Sequence, residues 1–447
     1  MALKRQTQVP VVMAMFLAIM ATAVAMAGEG TAAGKGPGPV KPELPPDPAV
    51  MKILDALGEN QSALLPPLKT HGEFSADQKQ WRHDKVGPTR RDYCLKWVWE
   101  ADRGRAAFCG GNAGVPHKLN DVWEYDLASN TWVLLWEPDP DTNRVRHMKP
   151  EEAKAYLDSF VTVDKETGEI MTKRGAPFDP VHTWWGLTYD PELHAVLWVM
   201  GNHHLHDKFM GMHPELQADY KLGGFHKMRM WAYYPYEHRW QFMPVPADMP
   251  ELHKTGAAIL EYIPELKGSL WYASTFMQTA VFRSNDRSWG SFTKLAPNSQ
   301  TWAKMTDFPA MEAVAAYDSA SKVLVACRGG DKVRDALIPT KTYHYHPETN
   351  KWEKVGEIEA GPAAADNKTG MTYDSATGQC YIVGNGELWS YRVADRKWQK
   401  LVPDGPPAPS RFQLLSCYNP RFNVLMADAG SGQIWVYRGR KAKDARQ

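Results

Sequence analysis

The chain has little cysteine, no excess charge of either sign, and almost no long apolar runs. Its five cysteines are Cys94, Cys109, Cys327, Cys380 and Cys417, and no two of them form a CxxC pair. That spacing argues against a zinc knuckle. Their apolar neighbours suit small buried hydrophobes in strands, and an odd count leaves at least one thiol outside any intrachain disulfide. Lys and Arg total 52 against 51 Asp and Glu, interspersed rather than blocked. Such a chain carries no electrostatic footprint for nucleic acid and no basic amphipathic helix for a membrane surface. Phosphate loops, Gly-x-Ser-x-Gly and His-Glu-x-x-His are all missing from the sequence.

The one strongly apolar run lies at the start. Lys4 and Arg5 precede residues 11–27, which end in Ala25-Met26-Ala27 before Gly28. This is the pattern of a cleavable signal peptide over residues 1–27, so a secreted or periplasmic protein with no membrane span is expected. Residues 28–48, rich in Gly, Pro and Ala, read as a flexible linker. Residues 49–69 read as an N-terminal helix and lead-in. Asp47-Pro48 caps that helix, Val50, Ile53, Leu54 and Leu57 share one face, and Gly58 stops it. A second helix is expected from Lys149-Pro150, with Ala153, Tyr156, Leu157 and Phe160 on one face, followed by a hairpin around residues 164–169.

What the chain does have is a repeated phrase: an aromatic pair, a polar turn, then a lone Trp. It runs from Trp123-Glu124-Tyr125-Asp126 to Trp132, from Tyr233-Tyr234-Pro235-Tyr236 to Trp240, from Tyr343-His344-Tyr345-His346 to Trp352, and from Trp389-Ser390-Tyr391 to Trp398. Each copy also carries an earlier strand ending at a turn, as in Tyr189-Asp190-Pro191, Tyr317-Asp318-Ser319, Tyr373-Asp374-Ser375 and Tyr418-Asn419-Pro420. An apolar strand stopping near Gly follows it. Strand-length runs punctuated by Gly, Pro and Asp indicate an all-β repeat fold. Fourth-strand tryptophans are assigned to Trp132, Trp240, Trp302, Trp352 and Trp398. The last copy ends after Gln433–Tyr437, so the N-terminal stretch Gly72–Arg82, with Trp81, is expected to supply its missing strand.

The order of turn Asp, apolar strand, Gly-Gly, variable loop, Tyr-Asp and Trp resembles the kelch repeat, best in Phe108-Cys109-Gly110-Gly111 through Trp123-Glu124-Tyr125-Asp126 to Trp132. The resemblance implies a six-bladed kelch-type β-propeller of four-stranded blades over residues 70–440, its last blade closed by an N-terminal strand, with a tail at 441–447.

Function is expected where the copies differ. The insertions at 139–181 and 202–229 are loops of one face and should lie side by side there. The second holds His203, His204, His206 and Asp207, a set able to take a divalent metal or to serve as solvated loop histidines. Arg91, His182 and Arg411 align at the starts of first strands. With Arg328 and Arg334 they would form a cationic mouth suited to a carboxylate ligand. The expected function is a non-catalytic module binding a protein or carbohydrate partner through the loop-rich face, with no resident cofactor required. The alternative is an enzyme on that face. It would resemble either the periplasmic sialic acid mutarotases of kelch type or the copper-radical oxidases of the galactose oxidase kind, for which Tyr343-His344 offers only a superficial match.

Overall fold

The computed structural model describes residues 42–440 apart from 90, 92–93, 95, 112–116, 201–204, 220–228, 245, 247–257, 274–277, 295–307, 310–312, 329–331, 334–335, 338–339, 359–368 and 412–413. Six antiparallel sheets of four core strands follow one another along the chain. Blade 1 comprises Val98–Glu100, Arg105–Cys109, Val122–Asp126 and Thr131–Trp136, and Lys69–His71 adds a parallel strand at its outer edge. Blades 2 to 5 begin at Leu187, Ala258, Val314 and Thr369. Blade 6 comprises Ser416–Asn419, Val424–Gly430 and Gln433–Arg438, and its fourth strand is Gln61–Leu64. Pairing of Ser62 with Tyr437 joins the two ends of the propeller, so the ring presents no open sheet edge at its seam.

The repeated phrase has a geometric cause. In blades 1 to 5 an aromatic pairs across the hairpin with a Trp seven residues later: Tyr125 with Trp132, Tyr233 with Trp240, Phe282 with Trp289, Tyr345 with Trp352, and Tyr391 with Trp398. Their ring centroids lie 4.9 to 5.4 Å apart in every blade. Such cross-strand aromatic pairs favour one register over its slips. Two residues before each Trp the backbone turns left-handed, at Asn130, His238, Arg287, Asn350 and Arg396. Where that residue is Asn, the Tyr hydroxyl donates to its side chain: Tyr125 to Asn130 at 2.6 Å and Tyr345 to Asn350 at 3.0 Å. Asn tolerates the left-handed conformation better than most residues, and the bond holds it there.

Two sequence expectations are corrected. Gly72–Arg82 is not a closing strand. Ser75 and Gln78 form a reciprocal capping box, Ala76–Gln80 is a short helix, and Trp81 is its C-cap. The closing strand lies upstream and carries Ser62, not Trp, opposite the third-strand Tyr, so the propeller begins within the stretch read as a lead-in. In blade 3 the fourth-strand Trp is Trp289, not Trp302, which lies outside the described residues. The helices at Pro48–Ala56 and Pro150–Phe160 and the hairpin Val161–Val163 with Ile170–Thr172 form as read. All five cysteines are buried and unbridged.

Candidate functional site

Within each blade the turns joining strands one to two and three to four lie on one face of the ring. The loops joining strands two to three and the connections between blades lie on the other. Both insertions belong to the second face, and there they pack on each other. Val145, Ala153, Leu157, Phe160 and Phe178 of the first share a core with Leu205, Phe209 and Met210 of the second. Buried charges tie the joint. Asp179 accepts from the Lys118 ammonium and, at 2.8 Å, from the Leu205 backbone N–H. Glu169 accepts from Arg229 Nε at 2.7 Å. His206 lies between the two acids, 3.5 Å from Glu169 and 3.9 Å from Asp179. Burial raises the Asp179 pKa, but Lys118 and His206 outweigh it and hold the carboxylate ionised.

His206 is therefore part of an ion cluster that joins the insertions. His203 and His204 lie outside the described residues, and Asp207 is placed only by its backbone in the helix His206–Met212. The expected cationic mouth is reduced in the same way. Arg91 is buried, paired with Asp121, and donates to the Gly110 carbonyl at 2.6 Å. Arg411 pairs with Asp428 at 2.6 Å. His182 is half-buried against the Trp184 ring. Arg328 ends a second strand and Arg334 lies outside the described residues.

The opposite face holds a built cavity of about 330 Å³, lined by first strands and first turns from all six blades. Its mouth is a ring of equivalent aromatics. Trp99, Tyr189, Tyr262, Tyr317, Tyr373 and Tyr418 each pair with the residue seven positions later, namely Ala106, Val196, Ser269, Leu324, Cys380 and Leu425. One register in six blades places six aromatic rings around one opening. The tyrosines latch each blade to the one before it. Tyr189 donates to Asp102, Tyr262 to Glu192 at 2.9 Å, and Tyr317 to Glu265. Burial, then the Asp318 carboxylate, pushes the Tyr373 phenol up to about 12. Burial and Asp374 raise Tyr418, which also donates to Asn423 at 2.8 Å.

At the inner end of the cavity Lys96 of blade 1 meets Glu261 of blade 3. The ammonium also donates to the Leu260 carbonyl at 2.7 Å and lies over the Trp185 ring, 5.7 Å from its centroid. Trp185 reaches across to blade 4, donating its indole N–H to Ala315 O at 2.7 Å. Burial pushes the Glu261 carboxyl up and the Lys96 ammonium down, so each is held closer to neutrality than in water. Tyr189, Tyr317, Tyr373 and Tyr418 entered the sequence reading as turn markers only. Lys96, Trp99, Glu261 and Tyr262 were missed, although the seven-residue pairing register could have found the two aromatics.

No family model matches the chain, and no curated protein matches it. Among solved structures, a chain of the crystal structure of a mitotic checkpoint complex matches with a TM-score of 0.42 and 10% identity, covering 93% of this chain and 98% of that chain. The blade count thus rests on this molecule's own sheets.

Proposed function

We propose that this is an exported kelch-type propeller that binds a neutral glycan, without catalysis, in the tyrosine-ringed mouth of its channel. The observation that carries the reading is the ring itself: six aromatics, one per blade, around a cavity of about 330 Å³. That volume falls in the range of small-ligand sites, which pair apolar walls with a few fixed polar groups. Aromatic faces suit the C–H faces of a sugar. Among the lining residues, the inner Lys96–Glu261 pair and the hydroxyls of Thr188, Thr372 and Ser375 supply donors and acceptors for sugar hydroxyls. Among the described lining residues the one cation, Lys96, is already paired with Glu261, which disfavours an acidic sugar and separates this reading from a sialic acid enzyme. The kelch assignment is supported by Gly110-Gly111. A Cβ on Gly110 would fall 2.3 Å from Thr183 Oγ1, and one on Gly111 2.6 Å from Pro180 Cβ, so the blade packs tightly on the next connection. Export is supported by the composition of residues 1–27.

Calorimetric titration with neutral and acidic mono- and disaccharides tests the proposal. Neutral sugars should bind, and Tyr262→Ala and Tyr373→Ala should each weaken them by about tenfold or more, near 1.4 kcal/mol. Equal affinity in both variants would remove the mouth as the site.

A second reading has one specific observation behind it. Glu261 and Lys96 are an acid–base pair at the end of a cavity, with pKa values drawn toward one another. A sugar whose anomers interconvert faster with this protein than with its Glu261→Gln variant, by exchange NMR, would establish proton-transfer chemistry in place of binding alone.

A further inference from the structure

We propose that blade 4 carries a zinc-class divalent metal site formed by His344, His346 and Glu353, stapled to blade 5. His344 and His346 are two residues apart on one strand, so their side chains leave the same face of the sheet. Glu353 on the next strand pairs directly with His344 in the register. The three offer one ligand atom each, all within 4.8 Å of one another. His346 Nε2 and Glu353 Oε2 are 3.2 Å apart. Two ligands about 2.0–2.1 Å from one tetrahedral zinc stand roughly 3.3 Å apart, so this pair already has the span. His344 is buried, whereas His346 and Glu353 are half-buried, leaving an approach for the ion and room for a rotamer change to close the widest gap.

The neighbours supply the outer partners that metal ligands need. Tyr391 Oη of blade 5 lies 3.0 Å from His344 Nε2 and fixes that ring. Arg396, in the turn that follows Tyr391, holds Glu353 Oε1 at 2.7 Å and Oε2 at 3.3 Å and orients the carboxylate. A carboxylate oxygen has a lone pair to spare for the metal beside such a contact. Imidazole nitrogen with one carboxylate favours zinc, or a neighbouring first-row ion, over calcium and magnesium. Because the ligands sit on blade 4 and their outer partners on blade 5, metal binding would tie the two blades together.

The test is untagged full-length protein, stripped with chelator and dialysed against zinc. Metal is counted by mass spectrometry and the melting temperature followed with and without zinc. One equivalent per chain and an upward shift in melting temperature are expected. Both should be lost in His346→Ala and Glu353→Gln, each of which should fold because the altered side chain is half-buried. Tyr391→Phe should keep the site but weaken it by about tenfold. The proposal is overturned if the wild type holds no zinc, if both variants hold as much as the wild type, or if the metal is lost only on changing His203 and His204.

Discussion

The two faces of this ring solve opposite problems. On the turn face every blade contributes the same element, a short turn and one aromatic, and the result is an open, symmetric cavity held by phenol–carboxylate latches. On the loop face the blades differ, and the described part of that difference is packed and ion-paired. Asp121 gathers Arg91, Gln78 and the Trp123 indole, while Lys118, Asp179, His206, Glu169 and Arg229 join the insertions. The described inserted sequence builds structure, and the repeated sequence builds the proposed site. A fold that copies one unit around an axis places any residue at the inner end of that unit in a ring. Six modest tyrosine-like positions therefore make one mouth.

The contrast can be broken most sharply at the insertion joint. Asp179→Ala leaves the Lys118 ammonium buried without its carboxylate, which should cost about 3–5 kcal/mol in urea unfolding. A loss under about 1 kcal/mol would mean the joint is soft and the loop face is free to act as a lid.

A smaller effect separates the faces by pH. His83 and His117 face each other on the loop face, ring centroids 5.1 Å apart. Burial pushes His83 down to about 4 and His117 well below the ordinary histidine value. In both, the folded pKa lies below the unfolded one of about 6.5, so the unfolded chain binds more protons as pH falls. Stability is then full above pH 6.5 and falls toward pH 4, by up to about 3 kcal/mol for His83, with His117 acting in the same direction. His83→Gln should flatten that slope in urea titrations across pH 4 to 7. The turn-face phenols, shifted upward, add nothing to this window.

The smallest effect concerns one latch. Tyr262→Phe removes the bond to Glu192 but keeps the ring, so it should cost about 1 kcal/mol of stability and change sugar affinity far less than Tyr262→Ala does. Equal losses of affinity in the two variants would show that the hydroxyl, not the aromatic face, holds the ligand.

Much of the frame was legible because it is written in local chemistry. The Tyr-to-Trp spacing and the Asp and Asn turns each have a reason within one hairpin, and they marked five blades correctly apart from the third. There Phe282 stands in for Tyr, so the reading passed over Trp289 to Trp302. Closure was legible as a need and misplaced as a segment. The closing strand has no Trp to mark it, while Ser75-Ala76-Asp77-Gln78 carried a helix start beside a conspicuous Trp81. The candidate site was the least legible part. Lys96 and Glu261 are 165 residues apart, and only ring closure brings them together. Histidine density in the second insertion drew attention to His206, whose partners Asp179 and Glu169 come from another segment entirely.

Hydrogen–deuterium exchange with and without a bound neutral disaccharide tests the central claim most directly. Protection confined to the first turns of the blades, around 99–104, 188–194, 261–267, 315–320, 371–376 and 417–422, is the predicted footprint. Protection at 139–181 and 202–229, with those turns unchanged, would contradict it and return the site to the loop face.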